Sequence, residues 1–242
     1  MSSAVLPVRL KSRKPQLQAV IFDMDGVIVD SHPVHRKAWR QFLKTLGREV
    51  SNSELNFILD GRKRADILRH FLGELSEAEI VDYGKQKDDF FQHASFEVKP
   101  LPGVIEFLDQ LGAGGVATAV ATSASESRTR STLDRLHLTE RFRIIVTGSD
   151  VARGKPDPAI YCRACRLLNV RPENAVAIED AASGIHAARA ANLTCIGVAG
   201  RDRSEMLTSA GADHVLENFI GLSVGSLETI LAGKSQRQQV RS

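Results

Sequence analysis

From residue 104 onward the chain alternates short apolar runs with segments of helical spacing, and that alternation is the strongest limit on its fold. GVIEFLDQLG reads as helix, GVATAVATS as a strand of small apolar residues, SRTRSTLDRLHL as helix and FRIIVTG as strand. PDPAIYCRACRLLN, NAVAIED, SGIHAARAAN and TCIGVAG continue the series as helix, strand, helix and strand. Apolar strands separated by helices of roughly 10–15 residues belong to crossover units, which build a parallel sheet covered by helices on both faces. QAVIFD, residues 18–23, is one more such strand. The fold class is therefore α/β, with a doubly wound, Rossmann-like parallel sheet.

After that first strand the alternation stops. Residues 33–99 hold helical patterns such as PVHRKAWRQFLKTLG and RADILRHFLG and no convincing strand. An all-helical stretch between two strands of a parallel sheet reads as a small second domain inserted after the first strand. KPLPG, with two prolines and a glycine, supplies a stiff return link. The division expected is a core of residues 17–31 and 101–232, a helical cap of residues 32–100, and disordered tails at 1–16 and 233–242.

Composition narrows the function. The chain has 242 residues, 43% apolar and 25% charged, with a formal charge of +3. Seven of its cations, Arg9, Lys11, Arg13, Lys14, Lys234, Arg237 and Arg241, lie in the two tails, and without them the charge is −4. No sequence-wide basic surface argues for nucleic acid. No segment has the length of a membrane span or the order of a signal peptide, so no membrane partner and a cytoplasmic location are expected. Cys162 and Cys165 form a CxxC inside a helical pattern with no second Cys/His pair to complete a zinc site. They read as core or surface thiols.

In open α/β sheets ligands bind outside the carboxyl ends of the strands. The first strand delivers Asp23 and Asp25, the second Ser123, the third leads to Lys155 in RGKPDP, and the fourth delivers Glu179 and Asp180. Taken singly, each could be a turn former, a helix cap or a solvated loop residue. Together, four acids on one rim repel one another unless a cation neutralises them, and a small set of hard oxygen ligands suits Mg²⁺. Carboxylates around Mg²⁺, with a lysine and a hydroxyl nearby, fit phosphoryl chemistry. One carboxylate can attack phosphorus, while another lends a proton to the leaving oxygen and takes one back from water.

FDMDGV, ATSAS, GKPDP and IEDAASGI, in that order, resemble the four motifs of the haloacid dehalogenase superfamily, over nearly all of residues 18–230. The resemblance implies that Asp23 is the nucleophile and Asp25 the general acid/base. It implies that Ser123 and Lys155 bind the phosphoryl group, with Ser125 also contacting substrate. Asp180, with Glu179 nearby, would hold Mg²⁺ beside Asp23 and the backbone carbonyl of Asp25. The second Asp favours phosphoryl transfer over attack on a carbon–halogen bond.

Within the superfamily the chain is most similar to the β-phosphoglucomutase branch, through His35 in HRKAW, Arg64 three residues after Gly61, and Lys87 in KQKDD. That likeness implies that His35 sits near Asp25 and that Arg64 and Lys87 reach the substrate's distal phosphate or sugar hydroxyls. Ser127 and Ala181 depart from that branch, where Asn and Ser stand. The function expected is a magnesium-dependent phosphatase acting on a small phosphorylated metabolite, a sugar phosphate, through an aspartyl phosphate. The rivals are a β-phosphoglucomutase, interconverting β-glucose 1-phosphate and glucose 6-phosphate, and a silent binding protein that keeps the fold. The expected assembly is a monomer or weak homodimer.

Overall fold

The computed structural model describes residues 16–239. The chain enters through β1 (Ala19–Phe22), then passes a two-residue strand β2 (Val29–Asp30). Helices α1 (His32–Thr45), α2 (Arg64–Leu72) and α3 (Glu77–His93) follow, before β3 (Lys99–Pro100). From there helices and strands alternate: α4 (Val104–Ala113), β4 (Ala117–Ala121), α5 (Glu126–Arg135), β5 (Ile144–Val146), α6 (Ala159–Leu168) and β6 (Ala175–Glu179). The series ends with α7 (Ala182–Ala190), β7 (Thr194–Val198), α8 (Arg201–Ser209), β8 (His214–Leu216) and α9 (Val224–Gln239).

Six strands form one sheet in the order β5-β4-β1-β6-β7-β8, and every neighbouring pair is parallel. This is the expected doubly wound α/β sheet. β1 lies between β4 and β6, so the ends of those three strands open on the same patch. All four residues of β1 are buried, because side chains of alternate residues enter opposite layers. Val20 and Phe22 join a cluster with Phe107, Phe142, Phe219 and Leu227. Ala19 and Ile21 join one with Ile160, Tyr161, Cys165, Ile185 and Leu207. Cys165 thus packs in the core, and burial, then the neighbouring Cys162 thiol, pushes its own thiol up to about 12.

Phe107 is buried against Phe22 and Phe219, at ring-centroid distances of 6.3 and 5.7 Å. Phe107→Ala is expected to cost about 3–5 kcal/mol, since the cavity it leaves adds to the lost transfer energy. A lowered denaturant midpoint at unchanged slope is the check.

The helical insert has a cluster of its own, built from Trp39, Phe42, Leu43, Leu55, Leu68, Phe71 and Ile80. Its two connections to the sheet pair as an antiparallel ribbon, Val29 opposite Pro100 and Asp30 opposite Lys99. Two-residue strands carry no readable period, which is why the sequence shows none there. α9 runs to Gln239, into the stretch expected to be a free tail from residue 233. The run KSQRQQ holds good helix formers, so nothing in it stops a helix already begun. The expected tails at 1–15 and 240–242 lie outside the described residues. Among the described residues no helix is long and apolar enough to cross a membrane.

Candidate active site

The register of β1 continues one residue past the strand, where the Asp23 N–H donates to the Ile178 carbonyl at 2.9 Å. That bond fixes Asp23 beside the end of β6, which delivers Glu179 and Asp180. The chain then turns sharply, with Gly26 at φ +76°. A Cβ there would collide with the Asp180 carboxylate and the His32 ring, so only glycine lets the turn lie this close to the acids.

Asp23, Glu179 and Asp180 are buried, and each offers an oxygen within 4.8 Å of the others. Lys155, buried between them, donates to Asp23 Oδ1 at 2.5 Å, to Glu179 Oε1 at 2.5 Å and to the Ala121 carbonyl at 3.0 Å. Burial alone would lower its pKa, but the attraction of Asp23 and Glu179 overrides that and raises it, so it is a fixed cation. Glu179 is held in addition by the Tyr161 hydroxyl at 2.6 Å and by the Asp180 and Ala181 N–H groups. Burial, only partly offset by Lys155, raises Asp23 well above the ordinary carboxylate range, and crowding by Glu179 and Asp180 adds to the rise.

One oxygen of this group stands apart. Asp180 Oδ2 is buried 3.0 Å from His32 Nε2 and 3.5 Å from Arg203 Nη1, yet it meets neither in hydrogen-bond geometry. An under-satisfied buried carboxylate oxygen, in a group where three acids crowd together, suits a bound divalent cation. The donor set is all oxygen, as Mg²⁺ prefers, and contains no cysteine.

Asp25 turns its carboxylate away from this cluster. Oδ1 accepts from Ser31 Oγ at 2.6 Å, His35 Nε2 at 3.2 Å and Arg128 Nη1 at 3.0 Å, and Oδ2 accepts from Arg128 Nη2 at 2.6 Å. Burial would raise its pKa, but Arg128 and then His35 outweigh that and hold it well below the ordinary value. His35 is itself drawn down to about 3, by burial and then by Lys87. Its ring is neutral near pH 7, and its partners assign the tautomer: Lys87 Nζ donates to Nδ1 at 3.2 Å, so Nε2 carries the proton toward Asp25.

The insert lines the far side of a cavity of about 290 Å³. Lys87, buried over the rings of Trp39 and Phe91, is lowered to about 7 by burial and then by Arg128. Arg64 pairs with Asp88 at 2.5 Å and lies in space that Gly84 leaves open on α3. Asp23, Asp25, His35, Arg64, Lys87, Ser123, Ser125 and Asp180 all line the cavity, and Lys155 and Glu179 lie beneath its floor. Ser123 Oγ donates to the Gly61 carbonyl of the insert at 2.7 Å, and Ser125 caps α5. Ser127 is not among the lining residues.

The sequence reading missed Arg128, Asp88, Tyr161, His32 and Arg203. Arg128 had one available signal, its place in the first turn of the helix that follows the Ser123 strand end.

A parallel sheet whose central strand ends gather paired acids, a buried lysine and a hydroxyl on one cavity is the framework of a phosphoryl-transfer enzyme. The family model of haloacid dehalogenase-like hydrolases matches residues 20–198, and the chain belongs to that family. Hexitol phosphatase A of Escherichia coli (strain K12) is 31% identical over 222 residues, covering 91% of this chain and 96% of the relative. β-Phosphoglucomutase of Bacillus subtilis (strain 168) is 31% identical over 191 residues, covering 75% and 83%. The crystal structure of CbbY from Rhodobacter sphaeroides in complex with phosphate superposes with a TM-score of 0.79 at 30% identity. It covers 88% of this chain and all of that one.

Proposed function

We propose that the protein is a magnesium-dependent phosphatase that hydrolyses a phosphorylated sugar through an aspartyl phosphate on Asp23. The observation that carries this reading is Lys155, buried between Asp23 and Glu179, with the unsatisfied Asp180 oxygen beside them. The names of the relatives, a hexitol phosphatase and a β-phosphoglucomutase, support a sugar phosphate as substrate.

In this reading Asp23 and Asp180, with Glu179 close by and the Asp25 backbone carbonyl, hold Mg²⁺. The ion supplies charge neutralisation for the phosphoryl oxygens and for the crowded acids. Lys155 and Ser123 bind the phosphoryl group, Ser123 exchanging its bond to Gly61 for one to a phosphate oxygen. An Asp23 oxygen attacks phosphorus and the bond to the sugar oxygen breaks; Asp25, protonated once it leaves the Arg128 and His35 contacts that hold it ionised, gives that oxygen its proton. Water then attacks the aspartyl phosphate, gives its proton to Asp25, and releases phosphate with Asp23 restored. The insert acts as a cap, keeping bulk water off the intermediate. Arg64, Lys87 and Ser125 contact the rest of the substrate.

A specific observation favours a second reading. The buried Lys87 and Arg128 and the half-buried Arg64 form a basic far end of the cavity, which suits a mutase that must hold a bisphosphate by its distal group. Product analysis separates the two. The phosphatase reading expects free phosphate from several sugar monophosphates or bisphosphates. It expects little glucose 6-phosphate when β-glucose 1-phosphate is supplied with a trace of the 1,6-bisphosphate. If that isomerisation outruns phosphate release, the mutase reading replaces it.

A further inference from the structure

Arg128 is the least expected residue of the cavity. It projects from the core helix α5, is buried over the Phe91 ring, and places both terminal nitrogens on the two oxygens of Asp25. Both oxygens of that carboxylate are engaged, Oδ1 accepting from Ser31, His35 and Arg128 and Oδ2 from Arg128. To reach an oxygen leaving a phosphorus bound at Asp23, Asp25 has to leave that fork. Its departure strands a buried guanidinium, which is costly unless another anion takes the vacated place.

The surroundings of Arg128 already favour an anion. Arg64 and Lys87 face the same space, and the acids paired with these three basic groups are Asp25 and Asp88. Once Asp25 turns to its proton-transfer position, Asp88 alone remains paired against Arg64, Arg128 and a partly charged Lys87. The neutral His35 adds no positive charge but offers no negative charge either. The cavity therefore has two ends of opposite character, acids around Lys155 at one and cations around Arg128 at the other. A planar fork accepts a phosphate or a carboxylate in the same two-bond geometry that it now gives Asp25.

Resting on the hydrolase reading above, we infer that Arg128 is a positioning residue that holds Asp25 out of service until a second anionic group of the substrate takes its place. The substrate class that follows is a phosphorylated sugar with a second phosphate or a carboxylate. Such a substrate spends part of its binding on freeing the acid/base, so selectivity is expressed in turnover as well as in affinity.

The test is steady-state phosphate release by the magnesium-loaded full chain from glucose 6-phosphate, glucose 1,6-bisphosphate and 6-phosphogluconate. Wild type is expected to favour at least one doubly anionic substrate by about tenfold or more in kcat/KM, the size of a hydrogen-bonded charge contact. Which of the two is favoured tells phosphate from carboxylate recognition. Arg128→Gln is expected to bring that ratio close to one, by lowering turnover of the doubly anionic substrate while turnover of glucose 6-phosphate holds or rises, since Asp25 is no longer held in the fork. Arg128→Lys, which keeps the charge but not the fork, is expected to lie between. A purely structural arginine would lower all three substrates together, and that result overturns the inference, as does a wild-type ratio near one. Should Arg128→Gln not fold, wild type decides: added inorganic phosphite must accelerate glucose 6-phosphate hydrolysis by filling the vacated fork, and inhibition or no effect refutes the role. Absence of phosphate release from all three substrates would instead sink the hydrolase reading, and this inference with it.

Discussion

Asp23→Asn is expected to lose on the order of 10⁴-fold or more in kcat, the scale seen when a hydrolase nucleophile is removed, while the protein stays folded. An amide is a poor nucleophile and a neutral group. It also fits the same space, so the N–H bond to Ile178 and the packing of β1 are untouched. The Lys155 ammonium loses one anionic partner but keeps Glu179 and the Ala121 carbonyl. Melting should therefore change little. Near wild-type phosphate release by Asp23→Asn would remove Asp23 from the chemistry altogether.

Removal of metal has the next largest expected effect. EDTA should abolish phosphate release, and adding Mg²⁺ should restore it. Binding at about 100 times the dissociation constant contributes roughly 2.7 kcal/mol by mass action, which for a chain of this size raises Tm by roughly 5–10 °C. That shift is measured without substrate, so it tests the site apart from catalysis. Asp180→Ala should lose most of it, because Asp180 Oδ2 is the oxygen of the acidic cluster left without a hydrogen bond. Full activity in EDTA, or a Tm that ignores Mg²⁺, contradicts the metal assignment.

What could be read from the sequence, and what could not, follows from the range of the physics involved. β1, β4, β6 and β7 are buried on both faces, so their composition declares them, and whatever follows them must reach the carboxyl edge. Asp23, Ser123 and Glu179–Asp180 were legible for that reason. Lys155 was legible only with its neighbours, since a loop lysine alone says nothing of where the loop returns.

Arg128 was hidden because ESRTRSTLDR holds three arginines of equal appearance. The Ser125 cap sets the phase of the helix, which turns Arg128 inward to Asp25 and leaves Arg130 outside, paired with Glu126 at 2.9 Å. Asp88 was passed over beside Lys87 for the same reason, since its partner Arg64 lies 24 residues away on another helix. The ribbon of β2 and β3 escaped because its pairing joins residues on either side of the whole insert. Local pattern identifies elements. It does not say which charged side chain an element turns toward a partner distant in sequence.

The central claim is that Asp23 carries the phosphoryl group between sugar and water, and trapping that species tests it most directly. Magnesium-loaded protein mixed with a turned-over sugar phosphate, quenched in acid and reduced with borohydride, converts an aspartyl phosphate to homoserine, which peptide mass spectrometry locates. Homoserine is expected at position 23, dependent on substrate and absent from Asp23→Asn. Brisk turnover with unmodified Asp23 in every quench, or homoserine at Asp25, Glu179 or Asp180 instead, would contradict it.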